Sequence, residues 1–415
     1  MTRQGTRRAV GARDSPRVLA DRSLLAPGLS VVGLLIIGSV TVGLMNGSVP
    51  FLGGGGGPVG SGPIGGIADR TAAPSNVVVV VPEVTFPGAI VYAKAGNIWI
   101  QSGGAVRQLT SGGQDSMPAW APDGQSVVFV RTAEAKGLWP AQGVERHYRM
   151  QVPALMRVDL SVDTSPVTLL TGRVSRGTRS WFSWIRQPVL SADGTTIAMI
   201  SDGPDPAQSN AVLQFYDLAT DERTVPDVPE NAPLGHQDPS WRADGKYLLY
   251  VRNGRSGSRG AAVVYRWDVA KSTATAITGP GYLEPRFSPD GKYIVATRTS
   301  GFGNDIVILD AAHGRELLRV TDDGASWAPV WSPAGDAIAF LHIQGLIVDL
   351  RMMRLEGAAP GWTLEDTLEL TEVSGLDGGS RPDWYIAPED MPATPPPSLA
   401  PSPSNAPVAS GSAAP

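Results

Sequence analysis

Short runs of alternating apolar and polar residues recur along this chain, and one phrase divides them into units. Met117-Pro118-Ala119-Trp120-Ala121-Pro122-Asp123-Gly124 leads into the apolar run Val127-Val128-Phe129-Val130. The phrase returns at Gln187 to Gly194, Asp238 to Gly245, Glu284 to Gly291 and Ala328 to Gly335, and stops half-way at Arg381 to Tyr385. A repeat at this spacing specifies stacked supersecondary units. The Pro-x-aromatic stretch reads as a first strand, a, whose bulky residue faces a core. An Asp-Gly turn follows, in which Gly is free to take φ > 0 and Asp bonds the local backbone. Strand b is predicted at Ser126 to Arg131, Thr196 to Ser201, Lys246 to Val251, Lys292 to Thr297 and Asp336 to Leu341. Strand c is predicted at Leu155 to Leu160, Val212 to Leu218, Val263 to Val269, Asp305 to Asp310 and Leu346 to Leu355. Strand d ends in a Leu/Ile-Thr signature, as in Leu170-Thr171, Ile277-Thr278 and Leu370-Thr371. Four short antiparallel strands repeated radially make a propeller blade.

The two ends of the repeat carry complementary fragments. Ala89 to Ala93, Asn97 to Gln101 and Val106 to Thr110 read as strands b, c and d with no strand a before them, and the orphan strand a is Arg381 to Ile386. Pairing them completes a sixth blade and hides two open sheet edges, which otherwise invite aggregation. The expected fold is all-β, a six-bladed propeller over 77–387, closed by the C-terminal strand a pairing with the N-terminal strands. One N-terminal transmembrane helix precedes it.

That helix is Leu24 to Met45, a run without a charge, long enough at 1.5 Å per residue to span roughly 30 Å of hydrocarbon. Residues 1–23 hold Arg3, Arg7, Arg8, Arg13, Arg17 and Arg22 against Asp14 and Asp21. Positive flanks keep such a terminus in the cytoplasm. No Ala-x-Ala type site closes the run, so it is predicted to be an uncleaved, single-pass signal anchor that leaves the rest of the chain outside. Residues 46–76, with Gly53 to Gly57, compose a flexible linker, and 388–415 a disordered tail of Pro, Ala and Ser.

The phrase Pro285-Arg286-Phe287-Ser288-Pro289-Asp290-Gly291-Lys292-Tyr293-Ile294-Val295-Ala296 resembles the repeat of the TolB-like propellers. That WD-like repeat is also found in the propeller domains of prolyl oligopeptidase-type enzymes. The resemblance covers 88–387 and implies the fold; in the family the repeat carries no chemistry, so no functional residue comes with it.

Composition narrows the function classes. The chain has 415 residues, no Cys, 49 Gly, 36 Pro and a net charge of -5. Zero Cys removes disulfides, thiolate metal sites and Cys nucleophiles. The acidic balance offers no basic surface for a phosphate backbone, so nucleic acid is not an expected partner. No Gly-x-Ser-x-Gly elbow and no Gly-x-x-x-x-Gly-Lys-Ser/Thr loop is present.

Candidate binding residues follow from loop lengths. In an a-b-c-d blade the b-c and d-a connections share one face of the disc, and the long segments Thr132 to Pro153, Gly172 to Arg186, Asp202 to Ala211, Pro229 to Gln237 and Asn253 to Ala261 all fall there. Long loops on a rigid scaffold carry binding. The richest are Arg173, Arg176, Arg179, Trp181, Phe182 and Trp184, facing Trp139, Arg146, His147, Tyr148 and Arg149. Arg with clustered aromatics is the composition of interface hot spots and of anion or sugar platforms. The same aromatics equally suit anchors that pin a long loop onto the blades. His147, His236 and His342 are the candidate metal ligands, with Asp322, Asp323 and Asp377 as added oxygens, against the reading of solvated loop histidines and ordinary turn residues. No cofactor is implied. The expected function is that of a membrane-anchored extracytoplasmic propeller, a protein- or glycan-binding scaffold at the cell envelope whose partner is an envelope protein or a cell-wall polysaccharide. The alternative is a propeller-type enzyme, a polysaccharide lyase or hydrolase with its site at the channel mouth.

Overall fold

The computed structural model describes residues 79–80, 85–139, 144–161, 165–202, 210–229, 234–255 and 261–391. The stretches 1–23, 24–45 and 46–76 lie outside the described residues, as does most of 388–415. Among the described residues no helix is long and apolar enough to cross a membrane. The described residues run past Ala387 through a 3-10 turn at Pro388–Asp390.

Six antiparallel sheets form the blades of a propeller. Blade VI begins with β1 (Val79–Val80), β2 (Ala89–Lys94), β3 (Asn97–Ser102) and β4 (Ala105–Gln108). Blade I holds β5 (Asp115–Trp120), β6 (Ser126–Leu138), β7 (His147–Asp159), β8 (Val167–Thr171), β9 (Arg173–Arg176) and β10 (Arg179–Phe182). Blade II is β11 (Arg186–Leu190), β12 (Thr196–Asp202), β13 (Ala211–Asp217) and β14 (Arg223–Thr224). Blade III is β15 (His236–Trp241), β16 (Tyr247–Arg252), β17 (Val263–Asp268) and β18 (Thr273–Ala276). Blade IV is β19 (Tyr282–Phe287), β20 (Tyr293–Ser300), β21 (Gly303–Asp310) and β22 (Glu316–Arg319). Blade V is β23 (Ser326–Trp331), β24 (Ala337–Gln344), β25 (Ile347–Glu356), β26 (Thr363–Leu364) and β27 (Leu368–Glu369). Last comes β28 (Asp383–Tyr385), which pairs antiparallel with β2 through Ile90 and Trp384, so blade VI is ordered β1-β4-β3-β2-β28.

Apolar clusters fill the seams between blades. Ile90 and Trp384 pack with Leu341 and Met352 of blade V, and Val91 and Ile98 pack with Trp120 and Phe129 of blade I. Each seam is built by the period-2 pattern of strands b and c, whose alternate residues face opposite sides of their sheet.

Local chemistry explains why the phrase recurs. Strand a is not a straight strand as its pattern suggests; in blades I to V its register slips at the Pro, as between Ser116 and Ala119 or between Leu283 and Arg286. The residue before that Pro sits at positive φ in every case: Met117 at 55°, Gln187 at 52°, Asp238 at 56°, Glu284 at 53° and Ala328 at 54°. A bulge leaves one residue out of the ladder, and Pro, with no N–H to lose, is the residue that tolerates the position. The following Asp accepts a backbone N–H two residues on, from Gln125, Thr195, Lys246 and Lys292 in turn, while Gly124, Gly194, Gly245 and Gly291 take φ between 67° and 70°. The Thr of strand d has an equally specific task. Thr110, Thr278, Thr321 and Thr371 each accept, through Oγ1, the N–H of a strand c residue at 2.9 to 3.1 Å.

Candidate functional site

Two regions gather charged side chains, an arm on blade I, where aromatics join them, and a ring where the first strands of the blades converge.

The arm occupies what the sequence pattern marks as the long loops Thr132 to Pro153 and Gly172 to Arg186, and it corrects that reading. Among their described residues both segments are mostly strand. β6 and β7 stay paired from Ser126 and Asp159 out to Leu138 and His147, and β9 and β10 form a second hairpin that bridges to β6 at Leu138 and Ser180. The sheet order is β8-β7-β6-β10-β9. The signal was present: Tyr148, Met150 and Val152 alternate with the exposed Arg149 and Gln151, the period of a half-buried strand. Gly137 sits opposite Tyr148, and a Cβ there would lie 2.4 Å from the ring. That missing Cβ lets the Tyr148 hydroxyl reach across and donate to the Ser180 carbonyl at 2.9 Å.

The candidate residues divide by burial. Phe182 is buried against Met150 and Val152, with Tyr148 and Trp184 packed on the same small core. Trp181 meets Trp139 edge to face at 5.8 Å, and the Arg179 guanidinium lies 5.0 Å from the Trp139 ring centre. Both Trp181 and Trp139 remain partly open to solvent. Arg146, Arg149, Arg173, Arg176 and Arg179 are exposed; Arg149 pairs with Glu134 at 3.4 Å, and Arg173 donates to the Lys136 carbonyl at 3.3 Å. At the arm's base the Trp184 N–H donates to Asp202 at 3.3 Å, and burial pushes that carboxyl up to about 6. Over 132–151 and 172–184 there are six cations (Lys136, Arg146, Arg149, Arg173, Arg176, Arg179) and two carboxylates (Glu134, Glu145), so the arm carries +4 on a chain of net charge -5.

The ring is made from the residues before the repeated Pro, which sequence reasoning assigned no role. Turned to positive φ, each presents its N–H to the side chain of the preceding blade. Met117 donates to Ser380 Oγ, Gln187 to Met117 Sδ, Asp238 to Gln187 Oε1, Glu284 to Asp238 Oδ2 and Ala328 to Glu284 Oε2, at 2.8 to 3.2 Å. Arg381 of blade VI reaches Asp238 of blade III at 3.8 Å and donates to the Pro239 carbonyl. Arg286 of blade IV pairs with Asp383 of blade VI at 3.2 Å. Contacts between non-adjacent blades are made across the middle of the disc, where Met117, Gln187, Val189, Arg286, Gly379 and Arg381 line a small pocket. Burial, reinforced by Arg286, lowers Arg381 to about 10, and burial beside Asp238 raises Glu284.

The histidine set is not brought together. Among the described residues no three His, Cys, Asp or Glu side chains form a metal-holding group. All three lie in strands rather than in loops: His147 is exposed at the start of β7 on the arm, and His236 and His342 are buried in β15 and β24. His236 uses both ring nitrogens: Nδ1 accepts the Leu213 N–H at 3.0 Å and Nε2–H donates to the Pro229 carbonyl at 2.8 Å. Burial lowers its pKa to about 4, which keeps the ring neutral in that double role. His342 faces Ser326 and Asp323, and Asp323 and Asp377 each also cap their own turn by accepting the N–H two residues on. Asp322 is exposed.

No family model matches the chain. It is 37% identical over 87 residues to the Tol-Pal system protein TolB of Francisella tularensis subsp. holarctica (strain OSU18), a stretch covering 20% of this chain and 19% of that relative. The chain thus matches under a fifth of the length of this curated relative. Among solved structures it is similar to TolB from Acinetobacter baumannii, with a TM-score of 0.51 and 20% identity, over 72% of this chain and 66% of that one. A putative TolB from Agrobacterium tumefaciens aligns with a TM-score of 0.49 and 18% identity, over 73% of this chain and 95% of that one. At such identities the structural likeness concerns the fold. Sequence and fold together fit the TolB-like propeller family.

Proposed function

We propose that this chain is a membrane-anchored binding module of the cell envelope, with residues 24–45 as the anchor, 46–76 as a tether and the propeller held outside the cytoplasm. It captures an envelope protein or cell-wall polysaccharide through the arm of blade I. The observation that supports this most is the contrast in charge and exposure: the arm carries +4, with Arg173, Arg176 and Arg179 exposed beside Trp139 and Trp181, on a chain that is acidic as a whole. Exposed Arg and half-buried Trp on a rigid support are what interface hot spots are made of. The curated relative is named for the Tol-Pal system, which agrees with an envelope setting.

Two experiments test the reading. Because the chain has no Cys, a single introduced thiol is unique; in intact cells a membrane-impermeant maleimide should label Ser48→Cys and spare Ser15→Cys. Equal labelling of both, or labelling of Ser15→Cys alone, removes the anchor topology. Co-purification from an envelope extract should recover a partner, or sedimentable wall polymer, with the wild-type chain and not with the double variant Arg179→Ala/Trp181→Ala. Unchanged recovery with the variant removes the arm from the binding surface.

A further inference from the structure

β9 is the last strand of the blade I sheet, and among the described strands it pairs only with β10. In an antiparallel pair, residues alternate between those bonded to the partner and those turned away. The Ser183 N–H donates to the Gly172 carbonyl, which puts Val174 and Arg176 in bonded positions and turns the backbone of Arg173 and Ser175 to the open edge. The Arg173 N–H is taken by Thr171 Oγ1 at 3.1 Å. What the edge offers is therefore the Ser175 N–H and the carbonyls of Arg173 and Ser175, flanked by exposed Arg side chains.

Building on the reading that the arm captures a partner, we propose that the open edge of β9 binds an extended acidic segment of a partner polypeptide by strand addition. Backbone bonds supply the docking and the arm's cations supply the choice of partner. Charge decides among occupants. A second copy of this chain would set Arg173 and Arg176 against their own equivalents, and like charges on an edge strand are a known guard against self-pairing. The chain's C-terminal tail has no charged side chain after Asp390 and is rich in Pro, which cannot donate. Its N-terminal tail is basic. An acidic strand from another protein satisfies both the free backbone groups and the +4.

The test uses the full chain and a fluorescent peptide of alternating Glu and Val, read by anisotropy. Binding is expected to weaken with salt, because exposed charges are screened within about 10 Å at 0.1 M. The same peptide N-methylated on every backbone amide, with its charges intact, should bind about tenfold more weakly or worse, since neither of its edges can then donate to β9. Ser175→Pro should do likewise with an unchanged thermal midpoint, and Arg173→Glu/Arg176→Glu should abolish binding. Equal affinity for the N-methylated and plain peptides, or tighter binding of polygalacturonate than of the peptide, overturns strand addition. Partner capture from the envelope extract can still succeed in that event, so this idea and the broader reading of the arm fail separately.

Discussion

The ring and the arm both gather Arg and carboxylates, and they differ in what those groups are left to do. In the ring, Arg381 and Arg286 have side chains only 8% and 12% exposed and face Asp238, Glu284 and Asp383, while five backbone N–H groups are spent on neighbouring blades. In the arm, Arg173, Arg176 and Arg179 are exposed, and the carboxylates are outnumbered. A charge that is buried and answered holds blades together; one left in solvent with few internal partners is available to another molecule. Composition alone does not separate the two, because burial and partnering are properties of the fold.

The largest expected effect breaks the ring. Arg381→Met leaves Asp238 and Glu284 buried with one cation fewer, and losing one partner of such a network costs about 3–5 kcal/mol. A urea midpoint barely moved would mean that the cluster contributes little to holding the blades. The next effect is a pH profile. His236 is neutral when folded, with its pKa lowered from 6.5 to about 4, so the folded form binds its proton later than the unfolded form does. Its contribution is whole above pH 6.5 and is lost as pH falls toward 4, by about 3 kcal/mol at 1.36 kcal/mol per unit. His236→Asn, which cannot ionise, should flatten stability against pH over that window; an unaltered slope assigns the acid sensitivity to other groups. Smallest is Tyr148→Phe, which deletes the bond to the Ser180 carbonyl. It should cost about 1 kcal/mol and speed amide exchange in β9 and β10 while β5 and β11 keep their protection. Faster exchange throughout would show that arm and ring unfold as one unit.

Much of this architecture was legible in the residues themselves. The recurring Pro-x-aromatic and Asp-Gly phrase announces six sheets, because a turn that needs φ > 0 and a strand edge that needs Pro leave visible residues. The bulge before each Pro was not legible, since Met117, Gln187, Asp238, Glu284 and Ala328 share no side-chain type; what they share is a backbone angle. The arm reads as loop in the sequence because its Arg-rich, Gly-containing composition masks the alternation of Tyr148, Met150 and Val152. Phe182 and Trp181, adjacent in sequence, point to different surroundings, and only the fold tells that one packs in a small core while the other meets Trp139 near the surface.

The division of labour between ring and arm is tested most directly by measuring, on one preparation of Arg179→Ala/Trp181→Ala in the full chain, both partner recovery and the thermal unfolding midpoint. Loss of recovery with stability within about 1 kcal/mol of wild type, as for surface changes away from the core, is the predicted result. Retained recovery, or a fall in stability comparable to that of Arg381→Met, contradicts it.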